Sequence, residues 1–339
     1  MDLPTDAVAL GIDLGGTKIL TAVGDGRGML LSRDHRVTPS ATGREAVFEA
    51  IHDSVRHSLD EASLRMEQVA AIGVGAPGPS NPQTGILHSS PNLPGWRDVP
   101  VQKLIEARYD RPTFLVNDAN AAALAEYHFG AGRGSCCFLY VTVSTGIGGG
   151  IVVGGDLYTG NQGVAAEIGH MTISDPGPPC NCGNTGCWEA MGSGTALAKT
   201  ARRRIAAGDS TSILDHAGGD VRKVTARTVQ QAAEAGDGLA VGLVAETAHI
   251  IGTGLANLIN IFNPDVIALG GGLTRMGGML LDPACEVARR RAFDPAVESV
   301  RIETAELGRN SGVLGAVVHA LGQVAASYNR NSMPRVPMQ

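Results

Sequence analysis

The sequence predicts an α/β protein of two lobes, and three observations carry that prediction. One strand, loop, strand plan occurs twice, at residues 8–31 and 137–158. Each copy is followed by alternating helix and strand patterns, and glycine-rich loops stand at the strand ends of both.

The elements follow in chain order. Val8-Ala9-Leu10-Gly11-Ile12 is an apolar run too short for a helix, and it leads into Asp13-Leu14-Gly15-Gly16-Thr17-Lys18. A second run over 19–23, a turn over 24–28 and Met29-Leu30-Leu31 extend this to three antiparallel strands. Val47, Ile51, Val55 and Leu59 draw one apolar stripe on a helix over 45–62. Strand-like runs at 69–74 and 113–116 flank a helix at 100–108. The plan then returns as a strand over 137–143, a loop over 144–150, a strand over 151–153, a turn over 154–156 and Leu157-Tyr158. A long helical pattern over 239–262 stops before Pro264, and residues 265–269 read as a buried strand entering Gly270-Gly271-Gly272. Val313, Leu314, Val317, Val318, Leu321 and Val324 mark a final amphipathic helix, and residues 330–339 read as a loose tail.

Composition restricts the function. At 339 residues and 43% hydrophobic content, the chain buries a large core. Its first residues carry no basic stretch, and no uninterrupted apolar run nears the roughly 20 residues that span a bilayer. The expectation is a cytoplasmic protein with no membrane partner. A net charge of −6 gives no broad positive field, which argues against nucleic acid as a partner. The two basic triplets, 202–204 and 289–291, read as solvated helix faces.

In the loop after the first strand, Gly15 and Gly16 let backbone N–H groups approach an anion, and Thr17 adds a hydroxyl. Asp13, at the strand end, is placed to hold Mg²⁺ through water. Taken alone, such a loop is more often a tight hairpin and nothing else. A second loop at Thr145–Gly150 and a third at Gly270–Gly272 favour a triphosphate site, and none of the three fits a P-loop or a dinucleotide fingerprint. Asp118 lies between an apolar strand and an alanine-rich helix. It serves there either as a helix N-cap or as a general base for phosphoryl transfer to an alcohol, with Asn117 beside it for the acceptor.

His170 precedes Cys180-x-Cys182-Gly-x-x-Gly-Cys187-Trp188-Glu189. Three thiolates and an imidazole form the closed set that structural zinc prefers, with Gly183 and Gly186 supplying the turns. A disulfide would leave one cysteine over, and a reducing compartment disfavours it. Cys136, Cys137 and Cys285 read as small buried hydrophobes.

Together, Asp13–Lys18, Thr145–Gly150, Glu167-x-Gly-His170 and the cysteine signature resemble the ROK family of sugar kinases and repressors over nearly the whole chain. The resemblance implies an actin-like ATPase (ribonuclease H-like) fold with a cleft between two lobes. It divides the chain into a small lobe of 1–120 plus 310–329 and a larger lobe of 121–309. It implies Asp118 as the base and Asn92, Asn117, Glu167, His170 and Glu189 as sugar ligands. It assigns ATP with Mg²⁺ to Asp13, Gly15, Gly16, Thr17, Lys18, Thr145, Gly146, Gly148, Gly149, Gly271 and Gly272, and zinc to His170, Cys180, Cys182 and Cys187. His170 then has one ring nitrogen on the metal and the other toward the sugar. One residue departs from the pattern: Ser144 stands where the family usually has glycine.

Ser89–Trp96 is similar to a stretch in the family's glucose-phosphorylating members, so glucose and ATP are the expected ligands. N-acetylmannosamine and N-acetylglucosamine are the alternative acceptors, and polyphosphate an alternative donor. A sugar-sensing regulator is the reading from another class; only seven residues precede Val8, too few for a DNA-reading module. The family also suggests a homodimer or tetramer, and a place in glycolysis or sugar salvage.

Overall fold

Apolar runs of seven and eight residues, too short for helices, open the chain as β1 (Val8–Leu14) and β2 (Lys18–Asp25), followed by β3 (Asp34–Val37). A computed structural model describes residues 3–90 and 92–332. The third strand lies later than the expected 29–31. There, the Asp25 carboxylate accepts from Arg27 N–H and Met29 N–H, holding a turn, and Leu30 makes only an isolated bridge to Gly24. Next come α1 (Arg44–Glu61), β4 (Ala71–Ala76), a small sheet of β5 (Ser80–Asn81), β6 (Ile86–Ser89) and β7 (Arg97–Val99), then α2 (Val101–Tyr109), β8 (Thr113–Asn117) and α3 (Asp118–Phe129).

The first large sheet has the order β3-β2-β1-β4-β8, with the hairpin strands antiparallel and β4 and β8 parallel to β1. Alternation along β1 sends Leu10, Ile12 and Leu14 into the core with Val47, Ile51 and Val55 of α1.

The second half repeats this plan with β9 (Cys137–Val143), β10 (Ile147–Val153) and β11 (Asp156–Leu157). Five helices follow: α4 (Trp188–Gly192), α5 (Gly194–Ala206), α6 (Ile213–His216), α7 (Ala226–Glu234) and α8 (Gly238–Phe262). Then come β12 (Val266–Gly270), α9 (Gly278–Arg291), α10 (Asp294–Ser299), β13 (Arg301–Thr304) and α11 (Ser311–Ser332). Its sheet runs β11-β10-β9-β12-β13, again a hairpin continued by parallel strands. The helix α8 is long and apolar enough to cross a membrane, but 56% of its apolar window is buried inside the protein, as a core helix requires.

Two compact units emerge: residues 1–134, 150–165 and 306–339, and residues 135–149 and 166–305. The first therefore keeps all of α3, where a boundary was expected at 120. Packing explains the difference. α11 returns to the first sheet, where Val317, Ala320 and Leu321 pack with Ala9 of β1 and Ala71 of β4. Glycines permit the approach: a Cβ on Gly73 of β4 would lie 1.9 Å from the Ala316 carbonyl oxygen, and one on Gly315 would lie 1.7 Å from that of Ala121 in α3. The fully buried Glu126 of α3 accepts from the N–H groups of Ala131, Glu306 and Leu307 and from the Ser311 hydroxyl, fixing the entry into α11. That helix also absorbs residues 330–332 of the expected tail; the rest of the tail lies outside the described residues.

The basic triplets do lie on helices, although Arg202 is half-buried and bonds the Val224 carbonyl. Cys136 is exposed and Cys137 and Cys285 are half-buried, so none is the buried residue expected. The backbone accounts for the first two: the N–H groups of Cys136 and Cys137 donate to Asp265 Oδ2, which holds them at the amino end of β9.

Candidate active site

In an open parallel sheet, groups gather beyond the carboxyl ends of the strands. Asp13, next to last in β1, lies opposite Gly75 of β4, and Asn117 closes β8 opposite Ala76, so both stand at the carboxyl end of the first sheet's parallel strands. Gly15 N–H donates to Lys18 C=O at 2.8 Å, which closes the hairpin and commits that amide to it. The Thr38 hydroxyl bonds Gly15 C=O from the side. Gly16 lies directly against Asn92: a Cβ there would be 2.3 Å from the Asn92 Cβ and 2.5 Å from its carbonyl oxygen. Only glycine allows the first loop and the Asn92 segment to meet.

Asn117, and not Asp118, caps α3, its Oδ1 accepting from Ala119 N–H at 2.9 Å and Asn120 N–H at 3.2 Å. The Asp118 carboxylate accepts from Ala119 N–H at 2.8 Å and is also favoured by its own backbone N–H. Desolvation raises the Asp118 carboxyl above its ordinary value against both bonds. Asp13 is pushed up to about 6, chiefly by burial and further by the Asp118 charge, with the Lys18 ammonium opposing at 3.9 Å. Two neighbouring carboxylates held above their ordinary range form a site that favours a proton or a cation.

The second unit carries the second and third glycine loops, again at strand ends: β9 ends at Val143 and β12 at Gly270, which pairs with Thr142. The loop between β9 and β10 is tighter than expected, because β10 already begins at Ile147. Gly148 and Gly149 are therefore strand residues, and a Cβ on Gly149 would strike Ile168 at 2.3 Å. Ser144 N–H donates to Gly146 C=O, closing the turn. The start of α5 holds the loop from one side, with Gly194 N–H on Ser144 C=O and the Thr195 hydroxyl on Thr145 C=O. Gly271 has φ +93°, and its α-carbon lies so close to Val143 that a Cβ would come within 2.4 Å of that carbonyl. Gly272 lies next to it, with the Ser144 hydroxyl 3.4 Å from where its Cβ would be.

Residues 168–170 form a short 3₁₀ turn, with Glu167 exposed and His170 half-buried. His170 divides its ring: Nδ1 lies 3.7 Å from Cys180 Sγ, and Nε2 lies 3.9 Å from Glu167 Oε2. Cys182 and Cys187 are 3.7 Å apart, and the four potential ligand atoms lie within 4.8 Å of one another. Sulfurs placed tetrahedrally at about 2.3 Å from one ion would be about 3.8 Å apart, so these residues fit a four-coordinate metal. Gly183 and Gly186, at φ +94° and +68°, make the turns. Trp188 anchors the segment, fully buried with its indole N–H on Ile250 C=O at 3.0 Å. Burial and the neighbouring thiols push Cys187 up to about 12, while the Asn184 N–H lowers Cys182.

The sequence pattern defining the ROK family matches residues 9–323. The chain belongs to the ROK family. It is 37% identical over 312 residues to a glucokinase of Streptomyces coelicolor, covering 91% of this chain and 96% of that protein. It is 29% identical over 315 residues to a xylose repressor of Caldicellulosiruptor bescii, covering 93% of this chain and 78% of the repressor. Among solved structures, it is similar to a ROK family glucokinase from Streptomyces griseus in complex with glucose and AMPPNP, with TM-score 0.80, 35% identity, and coverage of 93% of this chain and 99% of that one. The fold of this ROK protein is accordingly the two-lobed actin-like ATPase fold.

Within each unit the expected residues gather. Asp13, Gly15, Gly16, Thr17, Lys18, Asn92, Asn117 and Asp118 belong to the first; Thr145, Gly146, Gly148, Gly149, Glu167, His170, the three cysteines, Glu189, Gly271 and Gly272 belong to the second. Pro91, within the stretch similar to glucose-phosphorylating members, lies outside the described residues. Sequence reasoning missed Gly78, whose carbonyl takes the Asn117 Nδ2 amide at 3.5 Å, and the Ser193-Gly194-Thr195 start of α5. The second was marked in the sequence by a serine cap ahead of an alanine-rich helix.

Proposed function

We propose that this ROK protein is a sugar kinase that transfers the γ-phosphoryl group of ATP to the 6-hydroxyl of glucose, with Asp118 as general base. The observation that carries this is the half-buried Asp118 carboxylate, held above its ordinary pKa one residue past the true helix cap and beside Asp13. A carboxylate in that state is suited to accept a proton as an alcohol attacks phosphorus, and the neighbouring half-buried Asp13 suits Mg²⁺, which would neutralise charge on the phosphates. The resemblance to glucokinases supports the same chemistry.

The proposal assigns the sugar hydroxyls to Asn92, Asn117, Glu167, His170 and Glu189, and the phosphates to the loops at Gly15–Lys18 and Thr145–Gly146. Gly148, Gly149, Gly271 and Gly272 shape the backbone around the nucleotide. We assign zinc to His170, Cys180, Cys182 and Cys187; when bound it supplies rigidity and no redox chemistry. His170 then has Nδ1 on the metal side and Nε2 turned toward Glu167, so both imidazole nitrogens are oriented. Asp118 takes the 6-hydroxyl proton, and the donor loops orient the triphosphate.

The test is an ADP-release assay with Mg-ATP against glucose, mannose, N-acetylmannosamine and N-acetylglucosamine. The expected result is a large kcat/KM preference for glucose. Preference for an N-acetylated sugar would overturn the acceptor, and binding of glucose without turnover, with ATP or polyphosphate, would replace the enzyme by a sugar-responsive binder.

A further inference from the structure

Glu189 lies in the first turn of α4, two residues beyond Cys187, and the sugar-kinase reading gives it a sugar hydroxyl to bind. Its geometry adds a second task. Oε2 accepts from the backbone N–H of Ile147 at 2.9 Å, across 42 positions of sequence. Gly146 makes the room: a Cβ there would lie 2.1 Å from the same oxygen. The loop Ser144–Gly146 is thereby held from two directions. The start of α5 bonds its carbonyls at Ser144 and Thr145, and Glu189 holds the amide that follows Gly146. The carboxylate itself is mounted on a fixed point, because the adjoining Trp188 is fully buried and bonded to Ile250. A charged acceptor on a backbone amide is among the stronger hydrogen bonds available. A phosphate loop of three residues binds well only if its backbone is already set before the anion arrives.

We propose that Glu189 is a positioning residue for the nucleotide as well as a sugar ligand, one oxygen setting the donor loop and the other remaining for the acceptor. This rests on the sugar-kinase reading. Sharing one carboxylate couples the two substrates: a change at Gly146 is felt by the sugar, and a change at Glu189 is felt by the nucleotide.

The experiment titrates Mg-AMPPNP by calorimetry into the full chain without sugar, and glucose separately without nucleotide. Glu189→Ala removes the acceptor and is expected to weaken AMPPNP binding about tenfold. Glu189→Gln keeps an amide oxygen for Ile147 N–H and is expected to restore AMPPNP affinity to within about threefold of the natural chain, while glucose binding stays weakened. Gly146→Ala, which displaces Oε2 without altering Glu189, is expected to weaken glucose binding several-fold; it also serves if Glu189→Ala fails to fold. AMPPNP affinity unchanged in Glu189→Ala, or glucose affinity unchanged in Gly146→Ala, overturns the proposal while the unaltered protein still phosphorylates sugar. An unaltered protein that neither binds AMPPNP nor turns over sugar would instead overturn the kinase reading beneath it.

Discussion

The two glycine hairpins follow one plan and are held in opposite ways. The first, between β1 and β2, closes on itself through Gly15 and Lys18, and the groups around it are half-buried carboxylates kept above their ordinary pKa, Asp13 and Asp118. The second, between β9 and β10, is braced from outside by the start of α5 and by Glu189, next to a cluster of thiols and an imidazole. One half stores unfavourable charge, the other stores geometry. The same strand order thus carries a pair of carboxylates in one unit and an externally braced loop in the other, and the difference lies in individual side chains rather than in the strand plan.

That contrast can be broken most sharply at Asp118. Asp118→Ala is expected to lower kcat about 10³-fold and to leave calorimetric glucose binding within about threefold; near-normal kcat would remove the first half's claim to the chemistry. The second half is tested by Cys182→Ala, expected to lose bound zinc by elemental analysis and to raise the glucose KM at least tenfold, on the order of other losses of metal-orienting contacts. Zinc lost with KM unchanged would reduce the cluster to scaffolding.

The smallest effect concerns stability and pH. A carboxyl raised from 3.8 to about 6 binds more protons folded than unfolded, so its contribution to stability falls as pH rises through that window. Asp13 is 15% exposed, so the full shift is discounted, and Asp13→Asn is expected to stabilise the metal-free protein by about 2 kcal/mol at pH 7 and by almost nothing at pH 4. Urea unfolding at the two pH values checks this; an equal change at both would show that Asp13 stores no charge. Added Mg²⁺ should narrow the pH 7 difference, because only the natural carboxylate gains a cation.

What was legible in the sequence was local. Gly15, Gly16 and the Cys180–Cys187 segment announce themselves by residue type and spacing, because turns and metal shells impose those choices within a few positions. Strand β9 was placed to the residue by its apolar run. Strand β3 was not, because Asp34-His35-Arg36-Val37 is largely polar and is held by Asp34 on Ser54 and Arg36 on the Asp53 carbonyl of α1 rather than by an apolar face. The domain boundary escaped for a related reason: α3 stays in the first unit through contacts with α11 that are some 190 positions away. The Glu189 to Ile147 bond, and the assignment of the α3 cap to Asn117 rather than Asp118, depend on angles that spacing does not carry.

The Glu126 clasp has a consequence for biosynthesis. Its partners at Glu306, Leu307 and Ser311, and the helix they introduce, leave the ribosome roughly 140 residues after the rest of the N-terminal unit, which ends at Ala165, has emerged. At ordinary elongation rates this is a delay on the order of 10–30 s. During that interval the face of the first sheet bearing Ala9 and Ala71 lacks α11, and Glu126 lacks three of its four donors. The unit translated first is therefore completed last.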